Sequence, residues 1–403
     1  MAQESRGPVH VCRLPVVETA HTTSRAEARR GGIECDPALD GARIEVDYTG
    51  FPSEAEAAFQ RAVDVWACRI RSTQTIRVRA LWVTLDGTTL GSAGPILFRD
   101  FDGAPAEGVW YPAALADALS GRDLGDGDPD IEAMFNSDFQ AWHFGEQSPP
   151  AGRFDLETVV LHELGHGLGL IGALTVEDGI GGFQSDRSRP FSYDLHVQDG
   201  FGTSLLDTRT YPFESRALAD ALESEVRFAG TAVEQAVGIT VPLYAPDRFV
   251  VGASLSHLSE EVFAAGTPDG LMTPFISRQE TVAAPGPATC GMLADLGWRL
   301  AGECDALVGT LEDRRARLFI DSTGPNPFRS RTGFRISSST PTTIRIDLVD
   351  ALGRVLEDYG TTVLGVGSDL EVEVSARGLA SGVYFLRLRG GAAPLSVPVT
   401  VTR

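Results

Sequence analysis

His162-Glu163-Leu164-Gly165-His166-Gly167-Leu168-Gly169 is the stretch on which the reading of this chain turns. It closes a segment, residues 155–170, in which Leu156, Val159, Val160 and Leu164 recur at helical spacing behind Asp155 as N-cap. Histidines four apart share a helical face, one turn from each other, so both imidazoles can reach one metal ion. Neutral imidazole suits Zn2+, and two histidines with a third ligand leave a fourth position for water. Glu163 follows the first histidine, where its carboxylate can take a proton from that water, whose pKa the metal lowers toward about 7. Gly165 and Gly167 each cost the helix roughly 1 kcal/mol relative to alanine, a cost that packing alone gives no reason to accept. Gly169 is placed to adopt a left-handed conformation, stop the helix and turn the chain back toward the metal.

Working outward, residues 43–48 (RIEVDY) alternate as a strand. Residues 53–70 read as a helix that Ser53 can cap, with Ala57, Phe59, Ala62, Val63 and Trp66 on its apolar stripe. Residues 76–83 (IRVRALWV) form a second alternating strand, followed by an apolar run at 95–98, a helix around 112–119 and a strand at 130–136 (DIEAMFN). That order predicts an α+β domain. From about residue 323 the texture changes to short alternating runs at 334–337, 343–349, 370–374, 383–389 and 397–401, the spacing of a small β-sandwich. Charge divides the chain in the same place: residues 324–403 hold nine arginines against seven acidic residues, and residues 1–323 hold 25 against 48.

At 403 residues the chain has room for two or three domains, and with 43% hydrophobic and 22% charged residues it can bury a core. Every basic residue is arginine, and the net charge of −21 disfavours phosphate backbones and anionic lipid heads, so no nucleic acid is expected as a partner. The acidity and the missing lysine point to a salt-rich habitat or a GC-rich genome. No apolar run approaches the about 18 residues of a transmembrane segment, and Met1 to Gly7 lacks the apolar stretch of a signal peptide. Cys12, Cys35, Cys68, Cys290 and Cys304 form no CxxC pair. The short spacing favours Cys290 with Cys304, which leaves Cys35 with Cys68 and Cys12 over, in an oxidising compartment.

Residues 162–169 resemble the HExxHxxG half of the metzincin signature. In most metzincins the third ligand follows that glycine by three residues; here that position is Gly172, which cannot bind metal. The leishmanolysin-like branch, with a long insertion before the third histidine, is the closer match. The resemblance implies an insertion over 173–253, a third zinc ligand at His257 in Ser254-Leu255-Ser256-His257-Leu258, and a methionine turn at Met272 in Gly270-Leu271-Met272-Thr273-Pro274. Glu260, Glu261 and Asp194 stay open as alternatives, since a carboxylate can also complete such a site. Met272 has the alternative of core filler. His143 and His196 read as packing or surface residues, and His10 and His21 carry no signal. The runs Phe135-Asn136-Ser137, Trp142-His143-Phe144-Gly145 and Asp295-Leu296-Gly297-Trp298 resemble segments that flank this motif in secreted bacterial metallopeptidases. The resemblance also implies that the strand at 130–136 is an edge to which a peptide substrate adds by β-augmentation, with the insertion walling the cleft. Cys12, within HVCRLP, is a candidate thiolate for the fourth zinc position in a latent precursor, and the Asp-rich residues 123–130 are a candidate calcium loop.

Gly324-Pro325-Asn326-Pro327-Phe328, Asp350-Ala351-Leu352-Gly353-Arg354-Val355 and residues 378–388 (GLASGVYFLRL) resemble, in order, the type IX secretion C-terminal sorting domain. The expected architecture is an irregular segment at 1–40, an α+β metzincin-like zinc-peptidase domain at 41–305 and a linker at 306–323, followed by a small all-β immunoglobulin-like sandwich at 324–403. The expected function is that of a monomeric, secreted or surface-bound zinc endopeptidase. His162, His166 and His257 hold Zn2+, Glu163 is the general base, and export proceeds through the type IX machinery. The rival readings are a surface binding or adhesion protein on a peptidase scaffold and a zinc hydrolase of non-peptide bonds.

Overall fold

Alternation in the first two strands, β1 (Ile44–Thr49) and β2 (Ile76–Val83), becomes a parallel pair because helix α1 (Ser53–Ala67) carries the chain back between them. The computed structural model describes residues 3–5, 16–17, 41–87, 89–184, 188–308, 318–338, 342–350, 353–364, 370–389 and 395–402. Helix α1 buries Ala55, Ala58, Phe59, Ala62, Val63 and Trp66 against the sheet and the helix carrying the histidines. Its N-cap is Pro52, with no side-chain cap bond: Ser53 is already helical, so its hydroxyl is not at the capping position expected for it. The helix stops short of residue 70 because Ile70–Arg71 extends to pair with Arg299–Leu300.

Strand β3 (Gly91–Pro95) follows, then helix α2 (Ala113–Ser120) and strand β4 (Ile131–Asn136). The sheet order is β1-β2-β4-β3, with β4 parallel to β2 and antiparallel to β3. The expectation that 130–136 is the edge strand is therefore corrected. Strand β4 is paired on both sides, and the edge is β3, whose Gly-Ser-Ala-Gly-Pro composition has neither alternation nor β-propensity. Proline tolerates an edge because one side of the strand needs no ladder bond. Helix α3 (Leu156–Gly167) crosses below this edge. Asp155 caps it as expected, accepting from the Thr158 amide at 2.9 Å and its hydroxyl at 2.6 Å. Trp66 of α1 donates its indole N–H to Leu161 O of α3 (2.9 Å), and Arg61 pairs with the buried Glu157 at 2.6 Å, so two links fix the helices to each other.

Within 173–253 the chain forms a hairpin, β5 (Leu174–Glu177) with β6 (Ile180–Phe183), and short helices α4 (Arg216–Leu222) and α5 (Thr231–Val237). A small antiparallel sheet joins Val197–Asp199, Val226–Phe228 and Val241–Pro242. Helices α6 (Pro287–Leu296) and α7 (Gly302–Val308) follow, joined by the expected Cys290–Cys304 disulfide. Cys68 is also disulfide-bonded; Cys35, its expected partner, and Cys12 lie outside the described residues.

The chain divides into two compact units, Met1–Val308 and Gly309–Arg403. This corrects the expected linker at 306–323 at both ends. Residues up to Val308 belong to a helix tied down by the disulfide, and strand β7 (Leu318–Ser322) pairs with β8 (Arg331–Ser338) in the second unit. That unit continues with β9 (Thr342–Val349), β10 (Val355–Leu364), β11 (Leu370–Ser375), β12 (Gly382–Arg389) and β13 (Leu395–Val401). Antiparallel sheets of order β7-β8-β11 and β10-β9-β12-β13 share one apolar core, with Phe334, Ile336 and Val374 from one and Ile346, Leu386 and Val399 from the other. The segment expected to be irregular contributes two short strands to the first unit. Gln3–Ser5 pairs antiparallel with Leu97–Arg99, and Val16–Val17 pairs parallel with Ile276–Ser277. Among the described residues no helix is long and apolar enough to cross a membrane.

Candidate metal centre

Helix α3 presents His162 and His166 from successive turns, and the chain after the small antiparallel sheet brings in His257. The three Nε2 atoms lie 3.1 Å (His162 to His166), 3.2 Å (His166 to His257) and 3.2 Å (His162 to His257) apart, and each residue is at most 2% exposed. Every Nδ1 faces a backbone carbonyl: Leu271 O at 2.6 Å from His162, Leu170 O at 2.7 Å from His166 and Ala253 O at 2.7 Å from His257. A carbonyl only accepts, which assigns the proton to Nδ1 and leaves a lone pair on each Nε2. Burial drives all three imidazoles toward the neutral form, His162 and His257 well below their ordinary pKa with His166 adding to the effect, and His166 itself down to about 4.

Three converging lone pairs repel one another unless a cation lies between them. A tetrahedral ion with bonds of about 2.0–2.1 Å needs its nitrogens roughly 3.3 Å apart, close to what these atoms show. The residues therefore fit a metal ion through three neutral nitrogen ligands, and among the described residues this is the one group of three or more such ligands.

Each second-sphere carbonyl is held by its own local device. Gly169, at φ +118°, turns the chain so that Leu170 O meets His166, the role expected of it. Leu271 O is fixed by the helical turn Pro268–Met272, whose Thr267 hydroxyl accepts from the Gly270 amide. His257 sits opposite Tyr244, with Tyr244 N bonded to His257 O at 2.8 Å and Leu255 N to Tyr244 O at 2.9 Å, while the Leu258 amide donates to Met272 O. Buried Tyr193 adds a bond from its hydroxyl to Leu255 O at 2.8 Å, so the 173–253 segment positions the third histidine.

Met272 lies under α3 against Gly165, where an added Cβ would come 2.8 Å from Met272 Sδ. A Cβ on Gly167 would come 2.6 Å from Ile131 Cγ2. Close packing thus demands both glycines, against the expectation that packing gave no reason for them. Glu163, next in sequence to His162, is fully buried, and its Oε2 accepts from the Ala93 amide of edge strand β3 at 2.8 Å.

The other candidates fall elsewhere. Asp194 is buried, its carboxyl pushed up to about 6 by burial, and accepts from the amides of Ala173 (2.9 Å) and Phe191 (2.7 Å). It pins the start of the 173–253 segment and is not in the cluster; Glu260 and Glu261 are not in it either. His143 contacts Gln147 O, and His196 stacks on Phe228 at 4.9 Å. In the Asp-rich loop Asp123 pairs with Arg77 (2.7 Å) and Asp130 accepts the Arg77 amide (2.7 Å), so these carboxylates are committed to the fold and form no cation cage. The flanking segments also have structural work: Trp142 donates to Asn136 O, Trp298 to Leu168 O, and Asp295 accepts from the first amides of α5. The roles of the Ala93 amide and of the Leu170, Ala253 and Leu271 carbonyls were not legible in the sequence, because they act through backbone groups and carry no side-chain signature.

No family model matches the chain, and no curated protein matches it. Among solved structures, the chain is similar to the crystal structure of the CARDB domain of the PF1109 protein from Pyrococcus furiosus, in complex with di-metal ions. That match has 12% identity, covers 22% of this chain and 90% of that one, and has a TM-score of 0.17.

Proposed function

We propose that this chain is a zinc-dependent endopeptidase of the metzincin type, resembling the leishmanolysin-like branch. The observation that carries the reading is the convergence of three buried histidine lone pairs, from a helix whose intervening Glu163 is buried and bonded to the edge strand β3. His162, His166 and His257 would hold Zn2+, which when bound supplies Lewis acidity to a water and to the scissile carbonyl. Glu163 takes the proton from the attacking water and delivers it to the leaving amine nitrogen. The Ala93 amide holds one carboxylate oxygen in place for both transfers. The outer edge of β3 offers backbone groups to an extended protein or peptide substrate, aligned antiparallel along it. Met272 packs against Gly165 of α3, next in the chain to Leu271, whose carbonyl meets His162. The all-β unit at Gly309–Arg403 supports reading the tail as a type IX sorting domain, and with it a secreted or surface location.

The test is hydrolysis of unfolded casein by the zinc-loaded protein and by Glu163→Gln. The substitution should lower the rate by about 10²–10⁴-fold while leaving bound zinc at one per chain, and His257→Ala should lose the zinc. Equal hydrolysis by wild type and Glu163→Gln would exclude the mechanism.

A further inference from the structure

Two acids outside the metal centre are almost wholly buried: Asp117 in α2 and Asp130 just before β4, 2% and 3% exposed. Asp130 is fastened to β2 from both sides. Its Oδ2 accepts the Arg77 amide (2.7 Å), and its own amide donates to Arg77 O (2.8 Å). Asp117 Oδ1 accepts from the Leu124 amide at 2.9 Å, which ties the loop after α2 back to that helix. The other oxygen, Asp117 Oδ2, is buried and meets no N–H or hydroxyl donor among the described residues. What remains for it is the Asp130 carboxyl, with which Asp117 makes a side-chain hydrogen bond.

Two ionised carboxylates cannot bond each other, because each only accepts. A proton therefore lies between them. The charges around the pair lead to the same count. Arg77 of β2 and Asp123 of the loop are the charged groups that face it, and Arg77 Nη1 is already paired with Asp123 at 2.7 Å. One guanidinium thus stands against three carboxyls, in a place where burial favours the neutral form. The loop itself has little else to hold it. Apart from the half-buried Leu124 side chain, its other bonds are Gln74 Nε2 to Gly121 O (2.9 Å), Gly127 N to Asp123 Oδ1 (3.2 Å) and Asp128 N to Gly125 O (3.0 Å).

We propose that Asp117 and Asp130 share one proton and form a pH-sensitive latch on residues 121–129: with the proton in place the loop is clamped between α2 and β2, and without it the two carboxylates repel and the loop opens. The latch does not depend on the peptidase reading. It ends one residue before Ile131, whose side chain packs on Gly167 beside His166. Burial pushes the Asp130 carboxyl up to about 7 from an ordinary 3.8, so the closed loop keeps a proton that the open loop gives up. The equilibrium constant for opening should therefore rise by on the order of tenfold per pH unit between about pH 5 and about pH 7, and level off above.

The experiment is amide hydrogen exchange of the full chain from about pH 4.5 to about pH 8.5, each rate divided by that of the unstructured peptide at the same pH. Leu124 and residues 125–128 report the latch, and Val78 to Leu81 in β2 report global unfolding. Opening at Leu124 should increase about 100-fold from pH 5 to pH 7, with a smaller change in β2. Asp117→Asn puts an amide N–H where the shared proton lies and keeps an oxygen for Leu124, so it should hold the loop closed with no pH slope. A flat profile in the wild type, equal slopes at Leu124 and in β2, or a wild-type slope in Asp117→Asn would each overturn the latch. Should Asp117→Asn fail to fold, the wild-type carboxyl carbon NMR shifts decide. A transition raised well above 3.8 and shared by Asp117 and Asp130 upholds the common proton, and two separate transitions near 3.8 overturn it.

Discussion

A Cβ placed on Gly165 would meet Met272 Sδ at 2.8 Å and the Trp66 ring at 3.5 Å. Gly165→Ala should therefore cost about 1–3 kcal/mol, seen as a lower melting temperature, and weaken zinc binding by displacing the turn that holds Leu271 O. Adding Met272→Ala should recover part of that loss, because the crowding is pairwise. A double variant as unstable as the sum of the two single ones would place the crowding elsewhere. At this scale the sequence showed the side chains that do chemistry and hid those that position them. His162, Glu163 and His166 were legible from spacing alone, since the helix period dictates which side chains meet. His257 needed the resemblance, because no local rule joins residues 91 apart. The three carbonyls and the Ala93 amide were illegible, because any residue supplies a backbone group and only the fold decides which one is aimed at an imidazole.

Among the elements, β4 and α2 meet at a pair of buried acids. Asp130 opens β4 and Asp117 lies in α2, and burial, with the neighbouring carboxylates adding to it, pushes their carboxyls up to about 7 and about 6. A carboxyl raised in the folded state from an ordinary value of 3.8 favours the protonated fold, so its contribution is complete below that value and is lost as the pH rises through about 7. The buried histidines shift stability in the opposite direction, so the test compares proteins rather than reading one curve. The melting temperature of Asp130→Asn minus that of wild type should climb between pH 5 and pH 8, about one to two pH units either side of the transition; a flat difference would show that Asp130 does not titrate in this window. The elements themselves were largely legible where composition and period agree, as in β2 and α3. They were missed where these conflict: Gly91–Pro95 carries glycine and proline, Val355–Leu364 is broken by charged residues and Gly360, and Leu318–Ser322 follows an arginine-rich run. The edge strand was misplaced for the same reason. Its neighbour β4 has the alternation that a strand is recognised by, while the true edge has only the open side that a substrate requires.

For the whole molecule, the two units differ in charge as they do in architecture. Residues 1–323 hold 25 arginines against 48 acidic residues, and residues 324–403 are close to balanced. Self-repulsion on this scale is screened by salt, so the first unit should melt several degrees higher in about 1 M salt than at low ionic strength, and the second should move little. Calorimetry resolving the two transitions would check this, and coincident, salt-independent melting would show that charge does not limit the stability of either unit. The boundary near residue 308 was visible in the sequence as a change of texture. Its position was not, because a helix held by a disulfide and a strand paired at long range both look like linker when read locally.

The histidine cluster has one more consequence, in the currency of chain entropy. An ion held by His162, His166 and His257 joins points 91 residues apart and so closes, non-covalently, a loop that contains the whole 173–253 segment. A cross-link over a loop of that length removes unfolded-state freedom equivalent to up to about 4 kcal/mol. Zinc would then be a fastener as well as a reagent. Stripping it with a chelator should lower the melting temperature of Met1–Val308, open residues 173–253 to proteolysis, and leave the transition of Gly309–Arg403 where it was.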